Sequence, residues 1–174
     1  RCGPSRGRWR ETRRSFFTGG LMTLHERLGA LLSAEKDATA TLSNAAAFLF
    51  DEFDDLNWCG FYLFSRTENC LILGPFQGKP ACVKISSGKG VCGAALIQGE
   101  TIIVEDVNNF PEHIACDAES NSEIVVPLFI NGNIWGVLDL DSNALNAFSK
   151  SDKKYLENMC NFLAETLNFN ESLI

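Results

Sequence analysis

The chain of 174 residues is 45% hydrophobic, 21% charged and 10% aromatic at a formal charge of −7, one domain's worth of core that can bury roughly 70% of the unfolded chain's surface. No apolar run reaches the ~18 to 20 residues of a membrane span, and ordinary Gly and Pro contents set collagenous and disordered classes aside. Charge is unevenly placed: six arginines stand against Glu11 in residues 1–21, whereas from Met22 onward nine basic residues face 21 acidic ones, so a +5 head precedes a −12 body.

An acidic body lacks the concentrated positive charge that counterion release requires, so neither nucleic acid nor a membrane is an expected partner. The arginine-rich head is compatible with an organelle transit peptide, a disordered arm or an upstream extension. The expected organisation is therefore an extension over 1–21, outside the site, and a single domain over 22–174. Seven cysteines without a signal peptide point to a reducing compartment, with the cytoplasm as the expected location unless the head directs the chain to an organelle. No CxxC string is present, so a zinc knuckle has little support and no metal or organic cofactor is signalled.

In chain order, a short helix is expected over Leu24 to Leu32. Apolar residues at Leu42, Ala45, Ala46, Leu49, Phe50, Phe53 and Leu56 then predict a second helix that ends at Asn57. WCGFYLFS, CLILGPF, PACVKIS, ETIIVEDV, SEIVVPLFI and NIWGVLDLD follow as β-branched or aromatic runs separated by Gly, Pro and Asn, and predict strands. The last helix opens at Ser149 with Asp152 in the reciprocal capping position, and carries an apolar stripe of Leu156, Met159, Cys160, Leu163 and Leu167. Helices at both ends of a hairpin-linked run of strands make an α+β sandwich.

The connection Asn131-Gly132-Asn133 fixes a register. Ile124, Val126, Leu128 and Ile130 share one face, as do Ile134, Leu138 and Leu140, and both faces are expected to look at the helices. A two-residue turn pairs residues whose numbers sum to 263, setting Ile124 opposite Asp139; an odd-length loop with a Gly bulge gives an even sum and aligns the apolar faces. The bulged loop is therefore the prediction, and it turns Glu123, Asp139 and Asp141 together to the other face. Trp58 and Tyr62, four apart on a strand, supply aromatic walls. A solvated sheet face would also hold three carboxylates, but their aromatic company suits a small cationic or zwitterionic ligand.

GPFQGKPAC (Gly74 to Cys82), GKGVCG (Gly88 to Gly93) and HIACDAESNSEIVVP (His113 to Pro127), with NWCGFY (Asn57 to Tyr62) and LDLDS (Leu138 to Ser142), resemble the free methionine-R-sulfoxide reductases. The resemblance runs in continuous order over about residues 25–167. It implies a GAF-type fold: a central, mainly antiparallel sheet with N- and C-terminal helices on one face and the site loops on the other. It further implies that Cys116 attacks the sulfoxide sulfur to give a sulfenic acid, and that Cys92 and Cys82 are resolving partners, in an order the residues leave open. Glu123, Asp139 and Asp141 would hold the substrate ammonium and assist protonation of the sulfoxide oxygen, with Trp58 and Tyr62 around the methyl group. Where the resemblance leads to a small residue this chain has Cys59, which points away from Trp58 and is read as a core residue.

This chemistry suits the residue types. A sulfoxide oxygen leaves only when protonated, and crowded carboxylates raise one member's pKa enough to keep a proton near neutrality. A thiolate needs backbone amides or a helix N-terminus to stabilise it in an acidic body. A second thiol traps the sulfenic acid before over-oxidation. Cys160, Cys70 and Cys2 are read as core, strand-opening and head residues; His113 as orienting a loop or solvated; and Gly88, Gly90 and Gly93 as tight turning around the site. Expected partners are free methionine-R-sulfoxide, a thioredoxin-type reductant and, if the chain self-associates, a second copy in a homodimer. The competing class is a GAF-like small-molecule or thiol redox sensor without turnover; such sensors are normally joined to an output domain, and the chain ends soon after its last expected helix, which favours the enzyme.

Overall fold

The computed structural model describes residues 28–30, 32, 37–111 and 119–167. The chain divides into two compact units, Arg1–Ser33 and Ala34–Ile174. In the first, the described residues 28–30 and 32 are helical, with Leu28 and Leu32 buried; the head over 1–21, its boundary at Met22, Cys2 and the start of the early helix lie outside the described residues.

In the second unit, Asp37 caps α1 (Ala38–Glu52) by accepting the Ala40 amide at 2.8 Å. The helix stops five residues short of the sequence expectation, because Phe53 turns to extended backbone and Asp55 takes φ 61°. Leu56, expected to close the apolar stripe, instead opens β1 (Leu56–Ser65). Then follow β2 (Cys70–Gly78), β3 (Lys84–Ser86), α2 (Gly90–Gln98), β4 (Ile102–Val104), β5 (Ser122–Ile130), β6 (Asn133–Ser142) and α3 (Lys150–Leu167). The six strands form one sheet in the order β3-β2-β1-β6-β5-β4, every pair antiparallel. This is the expected α+β architecture.

Two of the sequence expectations are realised in detail. Ser149 and Asp152 form the reciprocal box, with Ser149 N donating to Asp152 Oδ2 at 2.8 Å and Asp152 N to Ser149 Oγ at 3.3 Å. The α3 stripe Leu156, Met159, Cys160, Leu163 and Leu167 is buried, each large member adding roughly 1.5–3 kcal/mol of transfer free energy. The β5–β6 register also has the even sum: Ile124 pairs Leu140 and Glu123 pairs Asp141. The device differs from the expected bulged loop. Ile130 pairs Asn133 around a two-residue turn with Asn131 and Gly132 both at positive φ (52° and 74°), the geometry that matches strand twist. The extra residue is Trp135, bulged between the pairs Leu128–Gly136 and Phe129–Ile134.

PACVKIS yields only the three residues of β3. Pro80 has no amide to donate, and the carbonyls of Lys79 and Cys82 accept side-chain donors, Trp58 Nε1 and Tyr62 Oη, instead of a ladder partner. The sheet is covered on both sides. α1 lies on β1 and β2 and α3 on β5, against the face carrying Phe61, Ile124, Leu138 and Leu140. On the opposite face α2 packs over Trp58, Tyr62, Val125 and Val137.

Candidate active site

Alternation along three neighbouring strands brings the site together. Trp58, Gly60 and Tyr62 of β1 pair with Asp141, Asp139 and Val137 of β6, and Glu123 of β5 pairs with Asp141, so all of these side chains share the face under α2. Trp58, Tyr62, Glu123, Asp139 and Asp141 line, with Cys92, one pocket of about 540 Å³, its open mouth included. Six residues singled out in the sequence, Trp58, Tyr62, Cys92, Glu123, Asp139 and Asp141, thus meet there. Cys82 is half-buried beside Ala81, which lines the rim. Cys116 and His113 lie outside the described residues.

The aromatic wall is rigid for local reasons. Trp58 stacks on Phe76 (centroids 5.4 Å apart, 14° between planes) and on Tyr62 (5.7 Å, 25°). The indole lies across Gly60, where a Cβ would come within 2.6 Å of Trp58 Cη2, so only glycine lets the ring down onto the strand. Trp58 Nε1 then donates to the Lys79 carbonyl at 3.2 Å and Tyr62 Oη to the Cys82 carbonyl at 3.0 Å. The stack therefore holds the segment that carries Cys82. Lys79 Nζ in turn pairs with Glu119 at 2.5 Å, and Asn57 Nδ2 donates to Ser120 Oγ at 2.8 Å. Those last contacts fix the chain just after residue 118.

The carboxylates are buried to different depths. Glu123 and Asp139 are 5% and 6% exposed, Asp141 half-buried. Burial, then the Asp141 charge, pushes the Glu123 carboxyl well above the usual range; burial, then the Glu123 charge, does the same to Asp139. The two are hydrogen-bonded to each other, and burial and mutual repulsion favour the protonated form that can act as an acid. Asp139 Oδ1 is buried without a hydrogen-bond partner.

Cys92 sits in the first turn of α2, whose entry is made by Gly88 and Gly90 at positive φ (81° and 60°). Gly93 packs where a Cβ would lie 2.7 Å from the Ser86 carbonyl. Gly88 and Gly90 thus turn the chain tightly, as expected, whereas Gly93 lies within α2 and serves close packing instead. A helix N-terminus favours a thiolate by ~0.3–2 kcal/mol. Here burial, then Asp139 and Glu123, win, and the Cys92 thiol is pushed well up; it stays a protonated thiol. Tyr62 is likewise held as a phenol, chiefly by burial and then by Asp139.

Cys59 is fully buried on the opposite face, its thiol pushed up by burial, in keeping with a core role; Cys70 and Cys160 are buried thiols as well. Cys82, by contrast, is disulfide-bonded. The residues that sequence reasoning missed are Lys79, Lys89 and Ser120 at the pocket wall and Gly60 and Phe76 behind the indole. Only Gly60 left a local signal, a glycine between two aromatic residues on a strand.

The model of the GAF domain family matches residues 35–168. Free methionine-R-sulfoxide reductase of Escherichia coli is 45% identical over 83% of this chain and 86% of its own, and the Saccharomyces cerevisiae protein of that name is 47% identical over 74% of each. The structure of free methionine-R-sulfoxide reductase from Neisseria meningitidis in complex with its substrate superposes with a TM-score of 0.80 at 42% identity, covering 83% of this chain and 86% of that one. The chain belongs to the free methionine-R-sulfoxide reductases, an enzyme family built on the GAF domain.

Proposed function

We propose that the chain reduces free L-methionine-R-sulfoxide to L-methionine, with Cys116 as nucleophile and Cys82 as the first resolving thiol. The observation that carries this is the pocket: a buried, hydrogen-bonded Glu123–Asp139 pair, both carboxyls pushed upward, faces an aromatic stack that is hydrogen-bonded to the segment bearing a disulfide-bonded cysteine. The substrate ammonium sits among Glu123, Asp139 and Asp141, and the methyl group against Trp58 and Tyr62. A peptide-bound residue has an uncharged amide in place of that ammonium, and so loses the ionic contact that justifies burying carboxylates there.

The Cys116 thiolate attacks the sulfoxide sulfur while the carboxyl pair protonates the departing oxygen. A bond forms between the Cys116 sulfur and the substrate sulfur as the S–O bond breaks and the oxygen leaves as water. Water then attacks the Cys116 sulfur and breaks the S–S bond, so methionine leaves as the thioether, reduced by two electrons, and Cys116 is left as a sulfenic acid. The Cys82 thiol then displaces water from that acid to form the disulfide. Supporting Cys82 over Cys92 as resolver, Cys82 is disulfide-bonded whereas Cys92 is a free thiol held up by burial. A thioredoxin-type dithiol returns the disulfide to two thiols in a reducing compartment such as the cytoplasm. Among the described residues no helix is long and apolar enough to cross a membrane.

Methionine released from the separate R and S sulfoxides by the pre-reduced chain tests this. The R form alone is consumed, one methionine appears per two thiols lost, and Cys116→Ser releases none. Turnover by Cys116→Ser, or thiol loss without methionine as a sensor would show, overturns it.

A further inference from the structure

The mechanism proposed above leaves Cys92 without a step, yet Cys92 is not placed like an idle core thiol. Its Sγ, an oxygen of Glu123 and an oxygen of Asp139 all lie within 4.8 Å of one another, and all three residues are buried. Independently, Asp139, which is 6% exposed and lines the same pocket, has its Oδ1 buried without a hydrogen-bond partner. An orphaned buried carboxylate oxygen carries an uncompensated desolvation penalty. Beside two further acids it calls for a positive ligand.

We propose that the reduced chain binds one thiophilic divalent cation of the Zn²⁺ class through Cys92, Glu123 and Asp139. Zn–S and Zn–O bonds of about 2.3 and 2.0 Å put tetrahedral ligand atoms roughly 3.3–3.5 Å apart, a contraction from 4.8 Å that side-chain rotation supplies. Sulfur among the donors selects Zn²⁺ over Mg²⁺ or Ca²⁺, which take oxygen alone. The three protein ligands leave a fourth position open toward Trp58 and Tyr62, so the site is formed like an open centre and not a closed structural one. On binding, the Cys92 thiol proton and the proton held by the Glu123–Asp139 pair pass to solvent, and no electron moves. Resting on the function proposed above, the cation takes the place of the substrate ammonium, so it competes with the sulfoxide.

The test uses the reduced, metal-stripped full chain. Zn²⁺ alone, titrated calorimetrically, binds one ion per chain, and Cd²⁺ in its place gives an ultraviolet thiolate-to-metal charge-transfer band. Cys92→Ser loses that band, whereas the double variant Cys82→Ser with Cys116→Ser keeps it. Asp139→Asn, nearly isosteric, binds at least tenfold more weakly with an unchanged circular dichroism spectrum, which keeps the test open should Cys92→Ser fail to fold. A band that survives Cys92→Ser, a band lost with Cys82 and Cys116, or no stoichiometric binding overturns the site. Free methionine sulfoxide lowers the apparent Zn²⁺ affinity; stoichiometric binding that the sulfoxide leaves unchanged upholds the cation site and overturns the placement of the substrate ammonium.

Discussion

Gly60→Ala puts a single methyl group under the aromatic wall, and its consequences follow from the geometry there. The new Cβ lies 2.6 Å from Trp58 Cη2 and 2.9 Å from Phe76 Cα, and closer still to Phe76 Cβ. Carbon atoms rest at about 3.5–4.0 Å, so the indole must retreat by about 1 Å or β2 must part from β1. The indole is not free to retreat, stacked on Phe76 at 5.4 Å and on Tyr62 at 5.7 Å with its Nε1 bonded to the Lys79 carbonyl. Overpacking of this kind costs ~1–3 kcal/mol, and loss of the indole hydrogen bond adds ~0.5–1.5 kcal/mol. Together they lower Tm by about 3–18 °C for a chain of this size. Because the same ring is the proposed substrate wall, kcat/KM for methionine-R-sulfoxide is expected to fall roughly tenfold or more. Thermal unfolding followed by circular dichroism and a steady-state assay read the two effects. A variant with wild-type Tm and wild-type kcat/KM would refute the reasoning.

Tyr62→Phe removes the donor to the Cys82 carbonyl; disulfide closure after a single turnover slows severalfold while the first release of methionine keeps its rate, as quenched-flow thiol counting would show. Glu123 and Asp139 are both pushed up in the folded protein, so above about pH 4 it holds protons that the unfolded chain releases, and their contribution to stability is lost as pH rises through the folded-state values. Urea unfolding at pH 5 to 8 should accordingly show Asp139→Asn gaining on wild type as pH rises, and a gap that narrows in the other direction would contradict the sign. That variant's turnover at neutral pH drops by about 10²-fold or more, the usual worth of a positioned acid. Asp152→Ala breaks the box at the start of α3 and costs about 1 kcal/mol of unfolding free energy, read by urea titration, with KM unchanged.

Features governed by short-range physics were legible in the sequence. The Ser149–Asp152 box, the stripe of α3 and the alternation that turns Glu123, Asp139 and Asp141 to one face each depend on residues within a turn or a strand. The even register was legible because burial of one face demands it, but the device was not: Asn131-Gly132 kept the tight turn its residues favour, and the strand absorbed the mismatch at Trp135. The helix overshoot at Phe53 and Leu56 has the same origin, since Leu56 fits a helical stripe and a strand start equally well until Asp55 takes a left-handed conformation. What local patterns could not announce were contacts across long separations, such as Tyr62 with Cys82 and Asn57 with Ser120. The depth of the Glu123–Asp139 pair likewise emerges only when β1, β5 and β6 lie side by side under α2.

The central claim is that oxidation of one substrate-facing thiol ends in a disulfide at Cys82, with Cys92 left free. Peptide mapping by mass spectrometry of the pre-reduced chain, quenched after one equivalent of L-methionine-R-sulfoxide with no reductant present, tests it most directly. The expected products are a single Cys82–Cys116 cross-linked peptide, Cys92 alkylated as a free thiol, and one methionine released per chain. A disulfide at Cys92 with Cys82 still free, or methionine released with Cys116 unchanged, would contradict it.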